Sequence, residues 1–264
     1  MAAKPRIAML TSALADWEPE RIFAELAGAG VDGVEVVYRD PAVAPGQRLG
    51  GVERIRRLAS AHGLEICGLA APVGRAVGTP AVVAALRAAD RLGAPWVRVF
   101  APPFAGGEPA AAQLARLSRS IERALADADG SAGLLVELSQ DTLITSPELA
   151  RQVLEPLGGR VGVVFDPANM LVEGNLPPEY SVSLLSGLLQ HVHVKNSVIP
   201  ATPGRGTFRS VPLERGLVDW PRVVRALSAA KYTGWLSIDR LSGNASRQRL
   251  RTDVAAVRRL LNSY

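Results

Sequence analysis

The sequence has a single cysteine and no long uninterrupted apolar run, and each scarcity excludes a class of structure. Because Cys67 is the only cysteine in 264 residues, an intrachain disulfide and a cysteine-rich zinc module are both excluded. No window approaches about 18 consecutive apolar residues, and the N-terminus does not join a basic segment to an apolar run and a cleavage site. We therefore expect a soluble, cytoplasmic protein with no membrane partner.

Lysine is also scarce, since Lys4, Lys195 and Lys231 are the only lysines and the other 27 of the 30 basic residues are arginine. The arginines are dispersed, and their densest run, at residues 247–259, alternates with apolar residues at helical spacing. Such a run is typical of a solvated helix face. The net charge of +5 therefore does not lead us to expect a nucleic-acid partner.

Short apolar runs rich in β-branched residues recur along the chain, and each is followed by a polar loop and a longer stretch of helical periodicity. An eight-fold barrel of such strand and helix units takes about 250 residues. We therefore predict one α/β domain over residues 1–264, a (β/α)8 TIM barrel. The eight predicted strands are Arg6–Leu10, Gly33–Tyr38, Leu64–Leu69, Trp96–Phe100, Gly133–Leu138, Val161–Phe165, His191–Lys195 and Trp235–Ile238.

A doubly wound parallel sheet is the alternative fold, because it is built from the same units. None of the predicted strands is followed by the G-x-G-x-x-G turn of a dinucleotide-binding fold, so the barrel is favoured. Cys67 lies within one of the apolar strands, where we expect a buried small side chain rather than a nucleophile.

Four consecutive predicted strands end on a carboxylate or an imidazole. The fifth ends at Glu137, the sixth at Asp166, the seventh at His191 and His193, and the eighth at Asp239. Taken singly, a strand-ending aspartate often caps the next helix, and a lone histidine is usually a core residue. Barrel closure, however, brings the C-terminal ends of the strands to one rim, where catalytic groups gather.

Three carboxylates on one rim repel one another strongly unless a cation lies between them. We therefore expect one divalent metal ion, held by three carboxylates and one imidazole. This ligand set suits Mn²⁺, Mg²⁺, Co²⁺, Fe²⁺ or Zn²⁺ and does not choose among them.

Several blocks follow one another in a recognisable order, namely Val136-Glu137, Phe165-Asp166-Pro167-Ala168-Asn169, His191-Val192-His193-Val194-Lys195 and Gly216-Leu217-Val218-Asp219-Trp220. In this order and spacing they resemble the sugar phosphate isomerase/epimerase group of xylose-isomerase-like TIM barrels, over nearly the whole chain. The early Gly33-Val34-Glu35-Val36 strand resembles the second strand of that group. The resemblance implies that the metal ligands are Glu137, Asp166, His193 and Asp239, with His191 as an inner-face neighbour.

Two positions depart from the pattern of the group. Related ketose epimerases usually have a glutamate at the position of Asp239 and a histidine at the position of Asn169. Because aspartate is one methylene shorter, Asp239 is a weaker candidate for ligation and for proton transfer. A barrel that has lost catalysis is therefore one alternative.

The function we expect is metal-dependent isomerisation or epimerisation of a sugar, keto-sugar or cyclitol. In this chemistry a proton is abstracted next to a carbonyl, and the metal stabilises the enediolate that results. Glu137 and Asp239 are the candidate acid and base. Their placement on the fifth and eighth strands would let them work on opposite faces of the substrate, as epimerisation needs.

The candidate substrate-binding residues are Asn169, Lys195, His191, Arg98 and Glu35. Lys195 either holds a substrate hydroxyl, carboxylate or phosphate or forms a salt bridge at the rim. Arg98 lies at an inward-facing position of its strand, where pairing with Glu35 or an active-site carboxylate is favoured over direct substrate contact. The segment Ser197–Arg215 is predicted to be a long rim loop that shapes the pocket.

Two other activities share the first chemical step or the fold expected for this isomerase or epimerase. A metal-dependent lyase or dehydratase begins with the same removal of an α-proton, so it is the main alternative. A type IV apurinic endonuclease shares the barrel, but its trinuclear zinc site needs many histidines and this chain has three. The expected partner is a small carbohydrate, and assembly into a homo-oligomer is left open.

Overall fold

The computed structural model describes residues 4–38, 49–71, 80–172, 176–199 and 209–263. Within these ranges, eight parallel strands close into a barrel in which the first strand pairs with the last. The barrel strands are β1 (Arg6–Leu10), β2 (Gly33–Val37), β3 (Glu65–Ala70), β4 (Trp96–Phe100), β5 (Gly133–Glu137), β6 (Val161–Phe165), β7 (Leu189–Val194) and β10 (Trp235–Ile238).

The predicted TIM barrel is confirmed, and the doubly wound alternative is wrong because an open sheet has no pairing between its first and last strands. Four of the eight strands have the predicted bounds, and the others differ by one or two residues at an end. The predicted loop Ser197–Arg215 contains regular structure at both ends. There β8 (Asn196–Val198) pairs antiparallel with β9 (Arg209–Val211); residues 200–208 lie outside the described part.

Amphipathic helices cover the outside of the barrel, and their apolar faces pack against the outward side chains of the strands. None of the described helices combines the length and apolar character that a membrane crossing needs. The helices are α1 (Pro19–Ala29), α2 (Val52–Ala61), α3 (Pro80–Leu92), α4 (Ala110–Ala128), α5 (Pro147–Leu154), α6 (Pro178–Leu184), α7 (Trp220–Ala229) and α8 (Arg247–Asn262).

Helix α8 shows why the arginine-rich run does not form a binding patch of its own. Leu250, Val254 and Val257 are buried, whereas Arg251 and Arg258 are exposed and Arg258 donates to the carbonyl oxygen of Gly30. The predicted solvated helix face is therefore observed.

Two tryptophans, Trp96 and Trp235, begin strands of the barrel, and each packs against a glycine of another strand. Trp96 opens β4 and pairs in register with Gly133, the first residue of β5. A Cβ atom on Gly133 would lie 2.3 Å from the Trp96 ring and 2.5 Å from the carbonyl oxygen of Arg160. Gly33 on β2 is similarly placed against Trp235 of β10. The glycines thus leave the space that the indole rings occupy.

Cys67 lies inside the barrel next to Trp235 and is fully buried, as expected. Burial raises the pKa of its thiol well above the usual range, and the nearby carboxylate of Glu35 adds to this shift. A protonated, inaccessible thiol is not a nucleophile.

We predict that Gly133→Ala lowers the free energy of unfolding by about 1–3 kcal/mol, because the added methyl group overlaps both the Trp96 ring and a backbone carbonyl. Urea denaturation measures the change. Gly68→Ala is the matched control, since its Cβ would lie 3.4 Å from the nearest atom on another strand. Equal stability of the Gly133→Ala and Gly68→Ala variants would contradict the close packing of Trp96 against Gly133.

Candidate active site

An outer cluster of four side chains lies at the C-terminal ends of the strands. Glu137 ends β5, Asp166 follows β6, His193 lies on β7 and Asp239 follows β10. Nδ1 of His193 is 3.5 Å from a carboxylate oxygen of Glu137, 3.9 Å from one of Asp166 and 4.0 Å from one of Asp239. The structure thus brings together the four residues that the sequence singled out as metal ligands.

An inner cluster lies deeper in the barrel and is formed by Glu35, His191 and Ser237. One oxygen of Glu35, Oε2, is 3.2 Å from Nε2 of His191 and accepts a hydrogen bond from the Ser237 hydroxyl at 2.8 Å. The same oxygen is 3.0 Å from Nε2 of His193. Because Nε2 of His193 is engaged by Glu35, Nδ1 is the nitrogen that faces the outer cluster.

Arg98 from β4 connects the two clusters. Its Nε atom is 3.3 Å from Oε2 of Glu137 and 3.8 Å from Oε1 of Glu35. Only 8 % of the arginine is exposed, so both ion pairs lie out of water. Of the two roles considered for Arg98, the geometry favours pairing with carboxylates over contact with a substrate.

Lys195 lies just beyond β7 and reaches across the outer cluster. Its Nζ atom is 2.7 Å from Oδ2 of Asp166 and 2.7 Å from Oδ2 of Asp239. The indole Nε1 of Trp220 donates to the carbonyl oxygen of Lys195 at 2.9 Å, which anchors the lysine backbone to the start of α7. The side chain remains 14 % exposed, at the edge of the site.

The turn after β6 orients two carboxylates. Oδ1 of Asp166 accepts hydrogen bonds from the backbone N–H groups of Ala168 and Asn169 at 3.0 and 3.1 Å. The other oxygen of Asp166 is therefore directed toward the cluster. Asn169 in turn donates from Nδ2 to Oε1 of Glu137 at 2.9 Å and to the carbonyl oxygen of Leu138 at 3.2 Å.

The electrostatic environment keeps three of the carboxylates ionised. Burial would raise the pKa of Glu35, but His193 and His191 hold it well below the usual value. Burial is likewise outweighed at Glu137, whose pKa is lowered by Arg98 and His193. At Asp239 burial is opposed chiefly by Lys195, which lowers the pKa to about 2.

The pKa values of Asp166 and His193 reflect the excess of negative charge in the site. Burial raises the pKa of Asp166, and Glu137 and Asp239 raise it further, despite the opposing effect of Lys195. Burial would lower the pKa of His193, but Glu35 and Glu137 raise it well above its usual range. The site therefore draws in positive charge, whether as protons or as a cation.

The donor set fits a divalent metal ion. One atom each of Glu137, Asp166 and His193 lies within 4.8 Å of the other two. Among the described residues, Nδ1 of His193 is buried and has no hydrogen-bond partner, although carboxylate oxygens of Glu137, Asp166 and Asp239 lie within 4.0 Å of it. A buried polar atom of this kind is normally satisfied, so a further group bound between this nitrogen and the carboxylates fits the site.

A second possible ligand group, Glu35 with His191 and His193, also brings its atoms within 4.8 Å of one another. Its nitrogens, however, already face Oε2 of Glu35 at hydrogen-bond distance, and the Arg98 guanidinium lies beside the other glutamate oxygen. The inner cluster is thus a hydrogen-bonded support for His193, and the outer cluster is the better candidate for a metal site.

Among the described residues, Ser237 and Trp220 contribute to the site in ways that the sequence analysis did not predict. The hydroxyl of Ser237 bonds to Glu35, and the indole of Trp220 bonds to the backbone of Lys195. Ser237 is two residues before Asp239, and residues two apart in a strand face the same side. This spacing was the only sign in the sequence that Ser237 faces the inside of the barrel. Trp220 belongs to the block Gly216-Leu217-Val218-Asp219-Trp220, but that block gave no sign of a contact with Lys195.

Comparison with known proteins gives a family match and several similar folds. A family model for xylose isomerase-like TIM barrels matches residues 23–260. The chain matches no functionally curated protein significantly. The chain is also similar to solved structures, but the sequence identity to each of those described below is under 20 %, so this similarity shows the fold alone.

Three solved structures illustrate that likeness. A 3-keto-D-glucoside 4-epimerase from E. coli is 17% identical with a TM-score of 0.74, over 97% of this chain and 100% of that one. A D-allulose 3-epimerase from Methylomonas sp. in complex with D-allulose is 17% identical with a TM-score of 0.75, over 99% and 98%. A probable 3-DHS dehydratase from Bacillus anthracis is 16% identical with a TM-score of 0.72, over 96% and 98%.

We predict that Arg98→Gln lowers the free energy of unfolding by about 3–5 kcal/mol, because Glu137 and Glu35 would remain buried without their cation. The change is measured by chemical denaturation of the metal-free protein. Arg116→Gln is the control, since Arg116 pairs with Glu108 at the surface and solvent screens that pair. Similar losses in both variants would mean that Arg98 does not compensate the buried carboxylates.

Proposed function

The chain belongs to the xylose isomerase-like TIM barrel family, and we propose that it is a divalent-metal-dependent isomerase or epimerase of a sugar, keto-sugar or cyclitol. The observation that carries the proposal is the outer cluster, in which three carboxylates surround Nδ1 of one histidine. The epimerases among the similar structures support the same class of substrate.

We propose that Glu137, Asp166, His193 and Asp239 hold the metal ion. The charges of the site support this assignment. Within the part of the chain that the structure describes, four buried or nearly buried carboxylates, Glu35 included, pair with two permanent cations, Arg98 and Lys195. A divalent ion would balance the two remaining negative charges, so no proton would be needed on His193. When bound, such an ion polarises a substrate carbonyl and so eases removal of the neighbouring proton.

Glu137 and Asp239 are the proposed proton-transfer groups. They come from β5 and β10, which are separated by β6 and β7 in the barrel, and they approach Nδ1 of His193 from different strands. We propose that each reaches the reacting carbon from its own side. Epimerisation uses both groups, whereas aldose–ketose isomerisation uses one. Asn169 and Arg98 hold the carboxylate of Glu137 in place for this task.

The proposed substrate contact is Lys195, whose side chain is 14 % exposed at the edge of the site. Asn169 was a candidate for substrate contact, but it is buried and donates to Glu137 and to the backbone of Leu138, so we propose that it holds Glu137 instead. Glu35, His191 and Arg98 were also candidates for substrate contact. They are buried and already engaged with one another or with ligands of the outer cluster, so we propose that they support the ligands instead. In this arrangement the inner cluster orients His193, and Lys195 at the edge of the site meets the substrate.

Solvent exchange of the α-proton tests the proposal. We predict that the Mn²⁺-loaded protein, incubated in D₂O with a panel of ketoses, aldoses and keto-inositols, exchanges the proton next to the carbonyl of at least one of them. Exchange is measured by proton NMR before any product is known. We expect Glu137→Gln to bind Mn²⁺ and to lose about 10²–10⁴-fold of the exchange rate, as removal of a general base does.

Glu148→Gln, which alters an exposed glutamate on α5, is the control and should exchange like the wild type. The product of an exchanging substrate separates the reactions, since an isomer indicates isomerase or epimerase chemistry and loss of water indicates a dehydratase. Absence of exchange for every substrate in the panel, with the metal bound, would contradict proton abstraction as the function of this site.

A further inference from the structure

Lys195 occupies the carboxylate atoms that the proposed metal would use. Its Nζ atom lies 2.7 Å from Oδ2 of Asp166 and 2.7 Å from Oδ2 of Asp239. We propose that Lys195 competes with the metal ion for these aspartates, and that metal binding releases its ammonium group to bind an electronegative substrate oxygen. This inference rests on the proposed function, because it assumes that the outer cluster is a metal site.

Asp166 is where the competition is strongest. Its Oδ1 atom is taken by the backbone N–H groups of Ala168 and Asn169, which leaves Oδ2 as the oxygen available for ligation. Oδ2 is also the atom that the Lys195 ammonium contacts. A single oxygen cannot serve both cations at full strength, since an ammonium and a divalent ion in contact with it would repel each other across a few ångströms.

Asp239 offers a different geometry. Its Oδ2 atom contacts Lys195, whereas Oδ1 faces Nδ1 of His193 at 4.0 Å. This carboxylate has an oxygen to spare, so the metal could take Oδ1 while Lys195 keeps part of its contact with Oδ2. The competition is therefore decided at Asp166, and the ammonium that leaves Asp166 stays tethered near Asp239 at the edge of the site.

The position of Lys195 allows this change without movement of the backbone. Its carbonyl oxygen is held by the indole of Trp220, so the main chain is fixed. The side chain has four methylene groups and is 14 % exposed, so its ammonium group is able to turn from Asp166 toward the mouth of the barrel. Occupancy of the metal site would in this way control whether the substrate meets a free cation.

Metal affinity tests the competition directly. We expect Lys195→Met to bind Mn²⁺ at least about tenfold more tightly than the wild type, because one neighbouring positive charge has an effect of this size on a carboxylate. Titration calorimetry measures the affinity. Lys231→Met should bind like the wild type, because Lys231 precedes the N-terminal end of β10 and the outer cluster lies at the C-terminal ends of the strands. Unchanged or weaker Mn²⁺ binding by a folded Lys195→Met variant would overturn the proposal.

Loss of the lysine leaves two aspartates without their partner, so Lys195→Gln, which retains a hydrogen-bond donor, is the second variant. If neither variant folds, the wild-type chain decides the question. With only three lysines, limited acetylation followed by mass spectrometry reports on Lys195 against Lys4 and Lys231 as internal references. We expect Mn²⁺ to increase labelling of Lys195 relative to the other two, and an unchanged or reduced ratio would overturn the proposal.

The proposed function fails in a different way. If the wild type and the Lys195 variants all fold but none binds Mn²⁺ or another divalent ion, the outer cluster is not a metal site and the competition falls with it. If all bind with the same affinity, the metal site stands and only the role of Lys195 is overturned.

Discussion

Among the described residues, four carboxylates share the mouth of this barrel with two permanently positive side chains, and the other contacts of the site depend on this excess of negative charge. Arg98 lies between Glu35 and Glu137, and Lys195 lies between Asp166 and Asp239. The excess of negative charge raises the pKa of His193 far above its usual range, although burial acts in the opposite direction. A buried site with such an excess is costly unless a cation joins it, so the cluster is poised for a divalent ion.

Other contacts in the site fix the orientation of the side chains that form the outer cluster. Glu35, in the inner cluster, lies at hydrogen-bond distance from Nε2 of His193, and this contact directs Nδ1 toward the outer cluster. Two backbone N–H groups hold one oxygen of Asp166, so the other faces inward. Each set of contacts leaves one atom, Nδ1 of His193 or Oδ2 of Asp166, free to face the other residues of the outer cluster. The scaffold supports this arrangement because barrel closure places the ends of β5, β6, β7 and β10 side by side.

The fold and the identity of the clustered residues could be read from the sequence, whereas their pairing could not. Strand bounds such as those of β4 and β6 follow from local apolar patterning, and the strand-end position of Glu137, Asp166 and Asp239 follows from the parallel topology. The bridging contacts of Lys195 and the bond from Asn169 to Glu137 depend on side-chain conformations across strands distant in sequence. The β8–β9 pair was missed because strands of three residues carry too little periodicity to be distinguished from a loop.

The central claim is that the outer cluster, rather than the inner one, holds the metal, and the position of a bound ion tests it most directly. A crystal of the protein soaked with Mn²⁺ and measured at the manganese absorption edge gives that position by anomalous scattering. The account predicts one peak within bonding distance of Glu137, Asp166, Nδ1 of His193 and Asp239. A peak among Glu35, His191 and Nε2 of His193, or no peak at saturating Mn²⁺, would contradict it.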